Sequence, residues 1–468
     1  MLAVGPDTPQ HPASAAALRS NAAGILLIAV VLLFAGCAAK TQPAAKVTLA
    51  LVDRGLFDKE FRDLRDQQYR EFTAQTGVEV KLLPGPESAV EQLKLWQKLL
   101  GSGPETLQVQ PDVFGIDVIW PGILAEQLLD LKPYVEQDIP AHFPELVSNL
   151  TVNGRLVALP SRLDVGLLYY RTDLLRRYGY SAPPRTWDEL EAMASRIQKG
   201  ERAAGAKDFW GFVWQGAISE ALTCDAIEWQ ASNGGGNIVD RSGKVTVNNE
   251  HAIQAWERAA RWVGSISPPG VTTYKESDAS NVWRAGGAAF MRNWTGANVV
   301  SNSEGSAIKG KYGVTLLPRG RTGAAEVFGG DGYAVSRRSA HPKEAVALVR
   351  YLCGRRSQAL QARVLSTPPT MPDLYGDAEL LRDSPHIREI RGAMGAGLVA
   401  RPSTVTGEKY TSVSAAFSTT VHSVLVREKS GSAAAAELER QLVQILSARS
   451  ASGSQEPPRT ARPAHADK

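Results

Sequence analysis

The chain has 468 residues, 43% of them apolar and 21% charged, with 52 Lys and Arg against 48 Asp and Glu. That length suits two or three domains with a sizeable core, and a net charge of +4 spread over it argues against an electrostatic nucleic-acid binder. Three Cys and seven His exclude a disulfide scaffold and argue against a multi-ligand zinc site. Ten Trp are present, and eight fall between Trp187 and Trp294.

Residues Ile25 to Ala35 form an unbroken apolar run. As a helix it rises about 16 Å, too short for a hydrocarbon core of about 30 Å. It reads as the apolar centre of a signal peptide, with Arg19 as its positive flank. The run ends in Phe34-Ala35-Gly36-Cys37, which resembles the bacterial lipobox, although Leu33 stands one position early. The resemblance implies lipidation of Cys37, and the other reading is a plain secretory signal with an incidental Cys. Residues 37–46 follow as a tether. Export permits a bridge between Cys224 and Cys353. Two buried free thiols are the preferred reading, and neither has a His nearby to make it a nucleophile.

Val47 to Val52 reads as a buried strand, and Phe61, Leu64, Gln68 and Phe72 mark one face of a helix. Val78 to Leu82 alternates as a second strand, completing a strand-helix-strand unit of parallel α/β type. Val90, Leu93, Trp96 and Leu100 form the apolar face of the next helix. Pro111 to Val118 is a strand, followed by a helix through Leu131. Asn153-Gly154 signals a turn before a strand at Leu156 to Leu159, and Val165 to Tyr170 is another strand. Thr186 and Glu189 form a capping box for a helix to Lys199. Helices follow at about 217–233 and 250–263, then strands at Gly287 to Trp294 and Tyr312 to Leu317. Pro342 opens a helix to Leu352, a further helix covers about 355–365, and the chain is helical from Thr370 to Ser447. Residues 451–468 are polar and Pro-rich, a composition that favours disorder.

Among motifs, G-x-S-x-G, G-x-x-x-x-G-K-[ST] and H-E-x-x-H are absent. Gly395 to Ala400 fits G-x-G-x-x-A, but a helical pattern precedes it where a dinucleotide site needs a strand. The absence of a catalytic constellation favours a binder, with no cofactor and no metal. Asp117 follows the apolar strand, where open α/β sheets bind ligands. Its carboxylate can accept bonds from two neighbouring hydroxyls or cap the next helix. Asp164, beside Arg162, has the same two readings, and Asp53-Arg54 follows the first strand. Trp294 and Trp214 each end a strand before a loop, where an aromatic face can stack on the C–H face of a sugar ring or pack in the core. Gly329-Gly330-Asp331-Gly332 is a backbone-permissive loop.

Together, Pro111 to Trp120, Val157 to Arg171, Phe209 to Glu228, Ala288 to Trp294, Val327 to Ser336, and Arg401-Pro402 leading to Tyr410 make the sequence similar to extracellular solute-binding proteins of ABC importers. The similar branch takes up trehalose, maltose and related sugars, and the resemblance covers about 47–448. It implies an α/β, two-lobed periplasmic-binding-protein fold with an interlobe ligand cleft and a hinge. The implied parts are a signal peptide at 1–36, the tether, an N-lobe at 47–160, a C-lobe at 161–312, an N-lobe return at 313–366, a helical C-lobe return at 367–448 and a tail at 449–468. It implies hydroxyl acceptors at Asp117, Asp164 and Glu276, a stacking ring at Trp294, main-chain contacts from Gly329 and Gly330, and Arg401 near Glu276, orienting it or reaching the ligand. Asp53 and Arg54 fall in the first ligand-facing loop. The implied ligand is a disaccharide or short oligosaccharide. The implied partners are membrane permease subunits, for a monomer held to the cell membrane by lipid. The alternative is a secreted glycoside hydrolase pairing Asp117 or Asp164 with Glu276, and a binder of peptides or polyamines is the third class.

Overall fold

Val113, Phe114 and Ile116 are wholly buried although they sit on both faces of one strand. A continuous apolar run of this kind belongs in the middle of a sheet covered on both sides. In the computed structural model, which describes residues 46–54, 59–86, 88–102, 108–384, 387–391 and 397–448, strand Val113–Asp117 is central. It lies between Thr48–Val52, to which it is parallel, and Glu326–Val335, to which it is antiparallel. Glu79–Leu83 adds parallel to Thr48–Val52, and Leu159–Val165 and Leu398–Val399 both pair with Glu326–Val335. The expected strand-helix-strand unit is present: helix Lys59–Thr76 joins the first two strands and buries Phe61, Leu64, Gln68 and Phe72. The signal segment, Cys37, nearly all of the tether, the C-terminal tail, and Gly395 and Ala396 of the glycine motif lie outside the described residues.

A second sheet runs in the order Tyr312–Thr315, Leu167–Arg171, Ala288–Asn293, Trp210–Val213. The strand expected at Val165 to Tyr170 is therefore split at Gly166. Residues up to Val165 pair in the first sheet, and residues from Leu167 pair in the second. Gly166 is where the chain passes between sheets, and a Cβ there would stand 2.1 Å from a Glu228 carboxylate oxygen and 2.5 Å from Arg292 Nη2. The chain passes back between Thr315 and Glu326.

Helix Trp187–Ala203 opens on Thr186, whose hydroxyl accepts the Glu189 N–H at 3.1 Å. Its apolar face joins helices Glu220–Ser232, Glu250–Trp262, Tyr410–Leu425 and Gly431–Ser447 in one core against the second sheet. At its centre Trp214 meets Trp229 edge-on with ring centroids 5.0 Å apart, and Trp262 meets Trp187 and Trp229 at 5.5 and 5.6 Å. The Trp-rich region is thus mostly core.

Two expected helices differ. The one expected through Leu131 stops at Gln127, after Pro121–Leu124 and Ala125–Gln127, and the next helix, Lys132–Val135, starts beyond its expected end. Between them the chain straightens and Leu129 donates its N–H to the Val335 carbonyl at 2.9 Å, so a sheet contact competes with the helix. The long helical run expected after Thr370 holds the short strand Leu398–Val399 and several separate helices. Cys224 and Cys353 are both buried free thiols. Among the described residues no helix is long and apolar enough to cross a membrane, and no group of His, Cys, Asp and Glu is placed to hold a metal ion.

Candidate functional site

The first sheet delivers Asp117 at the end of strand Val113–Asp117, opposite Asp331 in the register of Glu326–Val335. Arg54, just beyond Thr48–Val52, reaches between them. Its Nη1 donates to Asp117 Oδ2 at 2.6 Å and to Asp331, while Nε donates to Gln92 Oε1 at 3.1 Å. The guanidinium lies 4.6 Å from the centroid of the Trp120 ring. Asp331 also pairs with Arg162. Burial pushes the Asp117 carboxyl up, but Arg54 and Arg401 outweigh it and hold the group below the usual carboxylate range. Asp117 Oδ1 accepts the Ile119 N–H at 3.1 Å, so the residue also caps the turn that follows.

Asp164 lies opposite Gly329 in the pairing of Leu159–Val165 with Glu326–Val335. One of its oxygens accepts from the Thr295 hydroxyl at 2.5 Å and from the N–H groups of Thr295 and Val165 at 3.0 Å. Its burial raises the carboxyl above its ordinary value despite those donors. A Cβ on Gly329 would stand 3.5 Å from Asp164, 3.6 Å from the Trp294 ring and 3.9 Å from Arg401, so this position is at the centre of the group. Gly330 has φ +122°, which L side chains avoid, and a Cβ there would meet the Arg162 carbonyl at 2.2 Å.

The second sheet delivers Trp294 directly after Ala288–Asn293, half-buried, with Arg292 4.3 Å beneath its ring centroid. Arg292 is itself buried between Asp225, at 2.9 Å, and Glu228, at 2.5 Å. Glu276 is the exposed first residue of helix Glu276–Arg284, and its carbonyl accepts from Asn293 at 3.2 Å.

Arg54, Asp117, Asp164, Glu276, Trp294, Gly329, Gly330 and Arg401 line one cavity of about 210 Å³ between the two sheets. Asp53 is the exception among the expected positions. Its carboxylate turns into the core, accepting from the hydroxyls of Tyr69 at 3.0 Å and Tyr333 at 2.7 Å, with Arg65 at 3.3 Å. Arg401 lines the cavity together with Glu276, and its ion pair is with Glu220 at 2.9 Å. Trp214 is fully buried and donates its indole N–H to Ser267 at 3.0 Å, so it belongs to the core and not to a ligand. Sequence reasoning missed Glu220, Arg162 and Asp331 as lining residues. Asp331 lies in the glycine run, which forms part of strand Glu326–Val335 and not the expected loop, and Arg162 is two residues from Asp164, so proximity in the chain was a usable signal for both. For Glu220 there was none, because its partners Arg401, Tyr410 and Ser414 are distant in sequence.

Residues 56–359 match the family model of the bacterial extracellular solute-binding protein, and the chain belongs to that family. It is a solute-binding protein of mixed α/β, two-lobed type, from a family of binders rather than enzymes. A probable ABC transporter-binding protein of Deinococcus radiodurans is 47% identical over 372 residues, covering 79% of this chain and 87% of the relative. Among solved structures, maltose-bound MalE3 of T. maritima is 35% identical with a TM-score of 0.74, covering 85% of this chain and all of that one. The GacH receptor of Streptomyces glaucescens, at 22% identity, shares the fold with a TM-score of 0.72 over 86% of this chain and 98% of its own.

Proposed function

We propose that this protein captures a disaccharide such as trehalose or maltose for an ABC importer. The observation that carries the reading is the cavity of about 210 Å³ between the sheets. Carboxylates of Asp117, Asp164 and Glu276 surround it, and it has one half-buried indole in its wall. Carboxylates accept hydrogen bonds from hydroxyls, and an aromatic face covers the C–H side of a pyranose. The likeness to maltose-bound MalE3 at 35% identity supports the same ligand class.

The two sheets become the cores of two lobes, and their strands move the expected limits at 160 and 313 to the crossings, giving bounds near 47–165 and 326–366 for one and 167–315 and 367–448 for the other. The hinge falls at the crossings, Gly166 and the stretch between Thr315 and Glu326. Closure brings Asp117 and Arg54 from one lobe against Trp294 and Glu276 from the other. The ligand favours the closed form through contacts that only closure completes. Asp117 and Asp164 bind hydroxyls, Trp294 stacks, Gly329 lets the ring approach the main chain, and Arg401 holds Glu220 at the rim.

The closed form docks on permease subunits. Export by the signal segment and lipidation of Cys37 keep it at the membrane, since several acyl chains anchor stably. A monomer suffices for this role. A thermal-shift panel of disaccharides, with spermidine and a short peptide as controls, tests the ligand class. Ligand at a hundred times its Kd stabilises a protein by about 2.7 kcal/mol. A rise in Tm with a disaccharide alone supports the reading, and a rise with spermidine or peptide alone refutes it. Replacing Cys37 by Ser releases the protein from membranes if the lipid is its anchor.

A further inference from the structure

A second cavity, of about 310 Å³, adjoins the first and shares Asp117, Glu220 and Arg401 with it. Its wall is of a different kind. Val90, Leu93, Ile119, Trp120, Ile123 and Ile218 line it. Val90 and Ile218 are among the few large apolar side chains left in water, at 62% and 52% exposure. Helix Ala89–Gly101 explains Val90. Its apolar face reads as core, but only Trp96 and Leu100 turn fully inward, and Val90 and Leu93 face the groove.

Most polar atoms in this groove are already engaged, the buried Arg401 Nε being an exception. Glu220 accepts from Arg401 at 2.9 Å, from Ser414 at 2.5 Å and from Tyr410. The Ser414 hydroxyl also meets Thr223 at 2.8 Å, and Arg401 Nη2 donates to the Phe328 carbonyl at 3.2 Å. Asp117 is held by Arg54 and Ile119, and its remaining acceptor capacity goes to the sugar in the first cavity. A second hydroxylated ring placed here would leave its hydroxyls poorly partnered, which is costly when water is excluded. An apolar group would instead cover Val90 and Ile218 at no such cost.

We infer that this protein also takes glycosides bearing an apolar substituent, an aryl or alkyl aglycone, with the sugar in the carboxylate cavity and the substituent in the adjoining groove. The inference rests on the sugar-binding reading and extends it. Calorimetry of the full chain with methyl, phenyl and hexyl D-glucopyranosides of both anomers, with maltose alongside, tests it. The expected result is that phenyl or hexyl glucoside binds at least tenfold tighter than the methyl glucoside of the same anomer. Val90→Ser with Ile218→Ser should erase that gain and leave the methyl glucoside or maltose affinity unchanged. Equal affinity for the methyl, phenyl and hexyl glucosides, in a protein that binds maltose, overturns the groove assignment and leaves the sugar reading standing. A gain that survives both substitutions also overturns it. Failure of all four sugars to bind overturns both readings together.

Discussion

The Arg292 guanidinium lies against one face of the Trp294 ring, 4.3 Å from its centroid. The indole is therefore fixed by a cation on one side, and only its other face is open to a ligand. Removing the ring should weaken sugar binding by roughly 1–3 kcal/mol, as for other aromatic stacking contacts. Titration calorimetry of Trp294→Ala checks this. A folded variant with unchanged affinity would show that the ring packs without touching ligand.

Arg292 itself carries structural weight. Asp225 and Glu228 are fully buried and share this one guanidinium, and burial raises both carboxyls even so. Arg292→Met should cost about 3–5 kcal/mol, because it leaves two buried acids without a cation. Adding Asp225→Asn and Glu228→Gln should recover part of the loss. Urea midpoints of the single and triple variants measure both effects. Equal stability of the two would mean that the charges are not the cause.

Asp117 has two roles that one substitution separates. Asn keeps an oxygen for the Ile119 N–H, and so keeps the cap, but removes the charge. Asp117→Asn should weaken sugar binding by about 1.5–3 kcal/mol, the range for hydrogen bonds to a charged group. If affinity survives with the fold intact, Asp117 acts only as a cap and as the partner of Arg54.

Glu326 supplies a pH dependence. Burial, with the charge of Glu228 nearby, pushes its carboxyl up to about 8. Between the ordinary carboxylate range and that value the folded chain holds a proton that the unfolded chain has lost. Stability from this group is therefore fully present at low pH and declines as pH rises toward 8, by up to about 1.4 kcal/mol per unit. Glu326→Gln should flatten that decline in denaturation curves taken from pH 5 to 8. An unchanged slope would assign the dependence to other groups.

Much of the fold was legible because local and tertiary demands agree. Phe61, Leu64 and Phe72 recur at helical spacing and are buried, and the apolar run at Val113 to Ile116 is the sheet centre. Legibility failed where distant residues decide. Trp214 and Trp294 both follow a short strand, and the one local difference, the Arg292-Asn293 pair before Trp294, does not by itself tell a core ring from a cavity ring. Trp229, Trp262 and Ser267 enclose the first, while the second is held by Arg292 at a cavity. Arg54 and Asp53 are neighbours with opposite fates, because Tyr69, Tyr333 and Arg65 draw the carboxylate inward while Asp117 and Asp331 draw the guanidinium to the site. Val90 fits an apolar helical face and yet looks onto a groove.

Calorimetry of the full chain with maltose and with trehalose, followed by assay of the same mixtures for free glucose, tests the sugar-capture account most directly. Saturable binding of one sugar per chain with no glucose released is the predicted result. Glucose release that grows with time would make the carboxylate cavity a hydrolase site, and an absence of heat with either disaccharide would contradict their capture in it.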